Sequence, residues 1–365
     1  MEQLRETVAR WLDPKGPVAL VRREYLMPAE GRDAVFFPPT YAPDNKKSSS
    51  ERDGSQYNVD QLSDGTKVVT VDSVGSQANR MEPRFKEDPE LRELVPQIEI
   101  ELPDGKRVSI LEVGHRLGDA IVRASTLRDE VDKAFRTYLE TGNAEPVVRL
   151  APTSVVFGVW DSRGTQAKFP RLVQSVIRAW DVELLTRSAQ YTPPVDYSAY
   201  DVFSEEEKRK SENSPTTELS RRGYVSTPVT RTPGGIRARG DIVREITINL
   251  VALRRLRSGE GGSVANLQRY ILGLALVAAT EPLDGFLRAG CILVPEPEKK
   301  TSWEEVERTG ERKAIHLTNE EARKFALAAA REFSVGEARV FKFDAARAKR
   351  DLSKDRKKKA TNSDG

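Results

Sequence analysis

The stretch Lys67–Pro83, KVVTVDSVGSQANRMEP, changes character at Asp72. Its first six residues are apolar and β-branched, the composition of a buried strand. The rest, DSVGSQANRMEP, packs Ser73, Gly75, Ser76, Gln77, Asn79 and Arg80 together, none of them a convincing core residue. A strand passing straight into a helix fits, with Ser73 and Ser76 able to satisfy free N–H groups at the helix start. The two amides and the arginine exceed what a cap needs. They mark either a polar helix face or a surface that holds something.

Outward from this stretch, residues 1–12 read as a short amphipathic helix and Pro17–Leu26 as a strand. Gln97–Val113 reads as a hairpin around Asp104-Gly105. GDAIVRAS and DEVDKAFRTYLETG carry helical spacing, with Gly142 placed as a C-terminal cap. Thr153–Trp160, TSVVFGVW, reads as a buried strand. PRLVQSVIRAWDV, from Pro170, reads as a helix with proline in its permitted first turn. VELLTRSA and DIVREITINL read as strands, VALRRLR and Ser263–Thr280 as helices, and FLRAGCILVP as a strand. Thr318 and Glu321 form a capping box for a last long helix, and EARVFKF is a final strand. Elements alternate too irregularly for a doubly wound sheet. The expectation is an α+β fold, a split βαβ, ferredoxin-like antiparallel sheet carrying insertions.

The chain has 365 residues, 38% hydrophobic and 32% charged, enough for a core beneath a densely charged surface. One domain is expected over 1–345, with polar insertions near 38–58 and 191–240 and a basic, frayed tail over 346–365. A single cysteine, Cys291, excludes an internal disulfide framework and argues for a reducing, cytoplasmic setting. No apolar run approaches the ~20 residues of a membrane-spanning helix, so no membrane partner is expected. The first twelve residues mix acids with apolar residues and do not read as a signal peptide.

The formal net charge is only +3, but it is unevenly spread. Residues 221–257 hold nine arginines, no lysine, and only Asp241 and Glu245 as acids, a local balance of +7. Arginine suits phosphate oxygens and stacks on bases, and the glycines of PGGIRARG let a backbone approach an anion. A solvated face is the plainer alternative. GTQAKFPR (Gly164–Arg171) combines Lys168, Phe169 and Arg171, either a backbone-and-stacking contact or a hydrophobic staple. His115 and His316 lack local partners. No G-x-S-x-G, H-E-x-x-H, phosphate-binding loop or zinc spacing exists, so no catalytic residue, metal or cofactor is expected.

Four stretches occur in order: DSVGSQANRMEP, APTSVVFGVWDSRGTQAKFPRLVQSVI, GGIRARGDIVREITINLVALRRL and FLRAGCILVP. As a set they resemble the backbone subunit of type I-U (I-G) CRISPR surveillance complexes, in the repeat-associated mysterious protein superfamily. The resemblance spans roughly residues 15–345. It implies a modified RNA-recognition-motif palm with insertions. It also implies several copies polymerised along one CRISPR RNA, with target DNA and other effector subunits as further partners. Such a subunit is a scaffold, not a nuclease. The residues it implies on the RNA side are Gln77, Asn79, Arg80, Lys168, Phe169, Arg171, Arg231, Arg237, Arg239 and Arg244. Two alternatives stand beside it: a metal-dependent RNA endonuclease of the same superfamily, and a general basic nucleic-acid-binding protein.

Overall fold

The computed structural model describes residues 2–41 and 56–353. Its strands are β1 (Ala19–Pro28), β2 (Val59–Gln61), β3 (Lys67–Asp72), β4 (Ile98–Glu101), β5 (Arg107–Ser109), β6 (Val159–Trp160), β7 (Lys168–Phe169) and β8 (Val173–Trp180). They continue as β9 (Val182–Tyr191), β10 (Thr227–Ala238), β11 (Ile242–Asn249), β12 (Phe286–Arg288), β13 (Cys291–Pro295), β14 (Ser302–Val306), β15 (Arg312–Ala314) and β16 (Arg339–Lys342).

The main sheet runs β12-β13-β1-β11-β8-β3-β2, with β14 on the other half of the β1 edge and β15 beyond it. Every pairing in it is antiparallel. Within it β1, a helical segment, β8, β11, the helix Val264–Thr280 and β13 follow in chain order. Their spatial order β13-β1-β11-β8 is the fourth-first-third-second arrangement of a ferredoxin-like βαββαβ unit. The expected α+β class and antiparallel palm are therefore present.

The helix Val264–Thr280 buries thirteen of its seventeen residues against the sheet and the helix Asn319–Phe333. That second helix opens on the expected Thr318–Glu321 capping box. One core lies between this helical layer and the sheet, around Leu20, Ile246, Val173 and Leu274. A second, around Leu26, Val69, Ile177 and Ile236, lies at the end where the ribbon described next begins.

Several expectations need correction. Residues 153–160 are not one strand: Pro152–Val156 is a short buried helix, and only Val159–Trp160 is extended. Residues 170–182 are not a helix but contain β8. Val173, Ser175, Ile177 and Ala179 face the helices while Gln174, Arg178 and Trp180 face away, a period of two that a helix cannot offer. The 191–240 insertion is only partly irregular. β9 and β10 form a two-stranded ribbon that extends the β8–β11 hairpin, and a small cluster of Tyr197, Phe203 and Tyr224 sits near its far end. FLRAGCILVP is a hairpin, turning at Gly290 with φ +80°. Residues 345–353 are helical, so the tail of undescribed structure starts at 354, and residues 42–55 of the first insertion also lie outside the described residues. The Asp104-Gly105 hairpin is present as β4–β5, and β16 adds to it in parallel.

Candidate nucleic-acid interface

DSVGSQANRMEP does carry β3 into a helix, Val74–Met81. Ser73 caps it, its hydroxyl accepting from the Ser76 N–H at 3.3 Å. The helix packs on β8, and that decides which of its polar residues reach solvent. Gln77 is fully buried. Its amide donates to Asp72 Oδ2 at 2.6 Å, and its Oε1 accepts from Ser175 Oγ at 2.7 Å and Arg244 Nε at 3.0 Å. Arg244 is 1% exposed and donates through Nη1 to Glu24 Oε2 at 2.9 Å. Arg22 meets the same carboxylate's other oxygen at 2.6 Å. Asp72, itself buried, also takes Arg80 Nε at 3.1 Å, while Arg80 Nη2 donates to the Leu287 carbonyl at 2.9 Å. This polar seam stitches β3, the helix, β8, β11 and β1 together. It satisfies buried groups that would otherwise cost stability.

Gln77 and Arg244 are therefore framework, not RNA contacts. Phe169 is corrected in the same way: it is 2% exposed and stacks on Tyr138 with ring centroids 3.9 Å apart, so no face is left for a base.

The second specific stretch, Phe157–Arg171, folds back on the first. β6 and β7 pair, and the turn between them wraps Asp161, which accepts from the Thr165 hydroxyl at 2.9 Å. Gly158 takes φ +82°, and a Cβ there would lie 2.6 Å from Arg171 Cγ, so only glycine lets Arg171 cross at this point. Arg171 Nε donates to the Phe157 carbonyl at 3.1 Å. Its Nη2 lies 3.8 Å from where a Gly75 Cβ would be, against the first turn of Val74–Met81. A guanidinium thus stands at the positive end of a helix dipole. Among the described residues no carboxylate neutralises Arg171. Burial lowers its pKa below the ordinary arginine value, and the nearby Arg116 lowers it further.

Arg116 is 3% exposed and holds left-handed backbone, φ +54°. It contacts Glu82 at 2.6 Å, donates to the Gly158 carbonyl at 3.2 Å, and lies over the Phe157 ring. Burial pushes the Glu82 carboxyl up to about 7, outweighing the pull of Arg116. Asn79, on the helix Val74–Met81, and Lys168, in β7, are exposed, and Lys168 Nζ lies 5.5 Å from the centre of the half-exposed Trp160 ring. Sequence reasoning passed over Arg116, which lies between the two stretches it singled out, and Trp160, which sits inside the second.

The arginine window is dispersed. Arg237 meets Asp33 at 3.2 Å and Arg239 meets Glu183 through Nε at 2.8 Å, both partly or fully exposed on the ribbon. Arg254 donates to the Trp11 and Pro17 carbonyls. Arg231 lies in β10, but its side chain is outside the described residues. Gly234 and Gly235 sit at ribbon bulges, where Cβ atoms would lie 2.7 Å from Leu185 and 2.6 Å from Val35. These glycines admit neighbouring chain rather than a ligand, a correction to the anion-loop reading.

Among the described residues no three His, Cys, Asp or Glu side chains converge to hold a metal ion, and no helix is long and apolar enough to cross a membrane. Cys291 is buried, and burial pushes its thiol up to about 12.

A family model described as CRISPR-associated protein GSU0053 (Cas_GSU0053) matches residues 20–184, just under half of the chain. The match supports a CRISPR-associated protein. It takes in both stretches that meet at Arg171, and it stops before β11 and the ribbon's return strand. No curated protein matches the chain.

Proposed function

We propose that this chain is a guide-RNA-binding subunit of a CRISPR effector complex, several copies of which line one CRISPR RNA and present it to target DNA. The observation that carries this reading is Arg171. It has no carboxylate partner among the described residues, and it faces a helix start. Its two framing stretches both lie inside the segment that matches a CRISPR-associated family. A cation held at a helix start suits a phosphate oxygen and carries no base code. That is what a subunit needs when pairing, not protein, reads the sequence. Arg80, Arg237 and Arg239 are secondary contacts in this reading, because acids or carbonyls already hold them.

Expression with a CRISPR array, purification and sequencing of bound RNA tests it. Guide-sized RNA on a multi-copy assembly is expected. A bare monomer that binds any DNA equally would return the general nucleic-acid-binding alternative, and metal-dependent cleavage of labelled RNA would return the nuclease alternative.

A further inference from the structure

Glu82 closes the helix Val74–Met81, whose first turn faces Arg171, and neither the polar seam nor the proposed phosphate contact uses it. It is 1% exposed and stands at the helix C-cap, its N–H donating to the Ala78 carbonyl. Burial disfavours a carboxylate, and so does the negative end of a helix. Two groups set against it favour the ionised form, Arg116 and the Thr153 hydroxyl on the short helix Pro152–Val156. Arg80, on Glu82's own helix, is held instead by Asp72 and the Leu287 carbonyl.

The pair with Arg116 is short but poorly aligned. Arg116 Nε lies 2.6 Å from Glu82 Oε2 without the geometry of a hydrogen bond, and neither Glu82 Oε1 nor Arg116 Nη2 finds a partner among the described residues. Two charges taken out of water are stable together only when their remaining donors and acceptors are met. A proton on Glu82 relieves this strain, and burial has already pushed the carboxyl up to about 7.

The link to Arg171 is one peptide long. Arg171 Nε donates to the Phe157 carbonyl at 3.1 Å, and Arg116 Nη1 to the next carbonyl, that of Gly158, at 3.2 Å. Two guanidiniums thus hold successive carbonyls, and the charge of Arg116 is felt at Arg171, whose pKa it lowers. With Glu82 ionised, the Glu82–Arg116 pair is neutral overall. With Glu82 protonated, the pair is a net cation beside Arg171, in an interior where salt screens little.

We propose that proton uptake by Glu82 strengthens phosphate binding at Arg171, so that the grip on RNA depends on pH; the proposal rests on the reading that the chain binds RNA at that residue. The proton comes from solvent and stays on the carboxyl while the phosphate is bound. By linkage, a bound phosphate must in turn make Glu82 harder to ionise. Affinity is therefore highest at low pH and falls as pH rises through the titration of Glu82. Few other groups titrate in this range. The chain has two histidines; His115 adjoins Arg116 but is 83% exposed beside Asp119, and His316 precedes the helix Asn319–Phe333.

The test follows a labelled twelve-nucleotide oligouridylate on the full chain by anisotropy between about pH 6 and pH 8, where each phosphodiester keeps its single charge. The parent is expected to lose about fivefold in affinity over this range. Glu82→Gln should hold the low-pH affinity throughout, Arg171→Ala should bind weakly with a flat profile, and His115→Asn should follow the parent. A flat parent, a Glu82→Gln profile parallel to the parent's, or a flat His115→Asn overturns the proposal. If any of these occurs while Arg171→Ala still weakens binding, the RNA-binding reading stands alone. If the parent binds no oligouridylate at any pH and purifies without RNA, both fall. Thermal midpoints near the parent's at the low-pH end establish that the variants fold. Should Glu82→Gln not fold, calorimetry of His115→Asn in two buffers of different ionisation enthalpy decides: uptake of a fraction of a proton on binding at neutral pH supports the proposal, and no uptake overturns it.

Discussion

Arg244 and Arg237 stand seven positions apart in one arginine-rich stretch, yet they occupy opposite environments. Arg244 is sealed in the polar seam among Glu24, Gln77 and Ser175. Arg237 rides the ribbon, partly exposed, against Asp33. The partners explain why a local balance of +7 was a poor guide. Glu24 lies 220 residues from Arg244 in sequence, and Glu183 lies 56 from Arg239. A window counts the cations, while the fold imports the anions from elsewhere. Arg171, on which the proposed site rests, has no carboxylate partner among the described residues and lies outside that window.

This contrast between seam and surface can be broken by substitution. The largest effect is expected at Arg244. Arg244→Ala removes one of the two arginines on Glu24 and one of the two donors to Gln77 Oε1 from the buried seam and should cost about 3–5 kcal/mol, read from urea unfolding. An unchanged midpoint would mean that the seam does not hold the sheet together.

Glu82 is next, and it acts through pH. Its folded pKa, about 7, lies above its ordinary value of 4.5, so the native state holds this proton more tightly than the unfolded chain. Its stabilising contribution is fully present below about pH 4.5 and is lost as pH rises through about 7. The full span is on the order of 3 kcal/mol. Glu82→Gln should flatten the stability slope in that window, whatever it does to absolute stability; parallel slopes for the two proteins would refute the assignment.

At the surface the expected stability changes are small and the binding changes separate the sites. Arg171→Ala should leave the unfolding midpoint within about 0.5 kcal/mol. It should lower guide-RNA affinity about three- to tenfold and shallow the salt dependence by about one. The double change Arg237→Ala, Arg239→Ala should move affinity less, because Asp33 and Glu183 already occupy those guanidiniums. A larger loss from the ribbon pair than from Arg171 would reverse the ranking of the two regions.

Much of the fold was legible from pattern. KVVTVD with Ser73 announced a strand and a capped helix, and the Thr318–Glu321 box announced the last long helix. The errors fell where periodicity was short or masked. Pro152–Val156 is too brief to show a helical repeat, so β-branched composition prevailed. In β8 the proline at 170 and scattered polar residues imitated a helix start, and Val176, apolar and buried in the outward register of Gln174, Arg178 and Trp180, masked the alternation with Val173, Ser175, Ile177 and Ala179. The site was half legible. The two stretches that build it were singled out, but Gln77, Phe169 and Arg244 were assigned outward because polarity and aromaticity alone do not say which side of a strand or helix is covered. Only the packing of Val74–Met81 on β8, and of Phe169 on Tyr138, settles that.

The position of β1 also governs how the protein is made. It leaves the ribosome before any of its sheet neighbours, and β11, the first of them in sequence, begins 214 positions after it ends (242 − 28). At about 5–20 residues per second, that is a wait of roughly 10–40 s. Throughout it the central strand has two bare edges, the arrangement most open to mispairing with other nascent chains. A fragment ending near residue 184 would never leave that state, since β1 and β8 are joined only through β11.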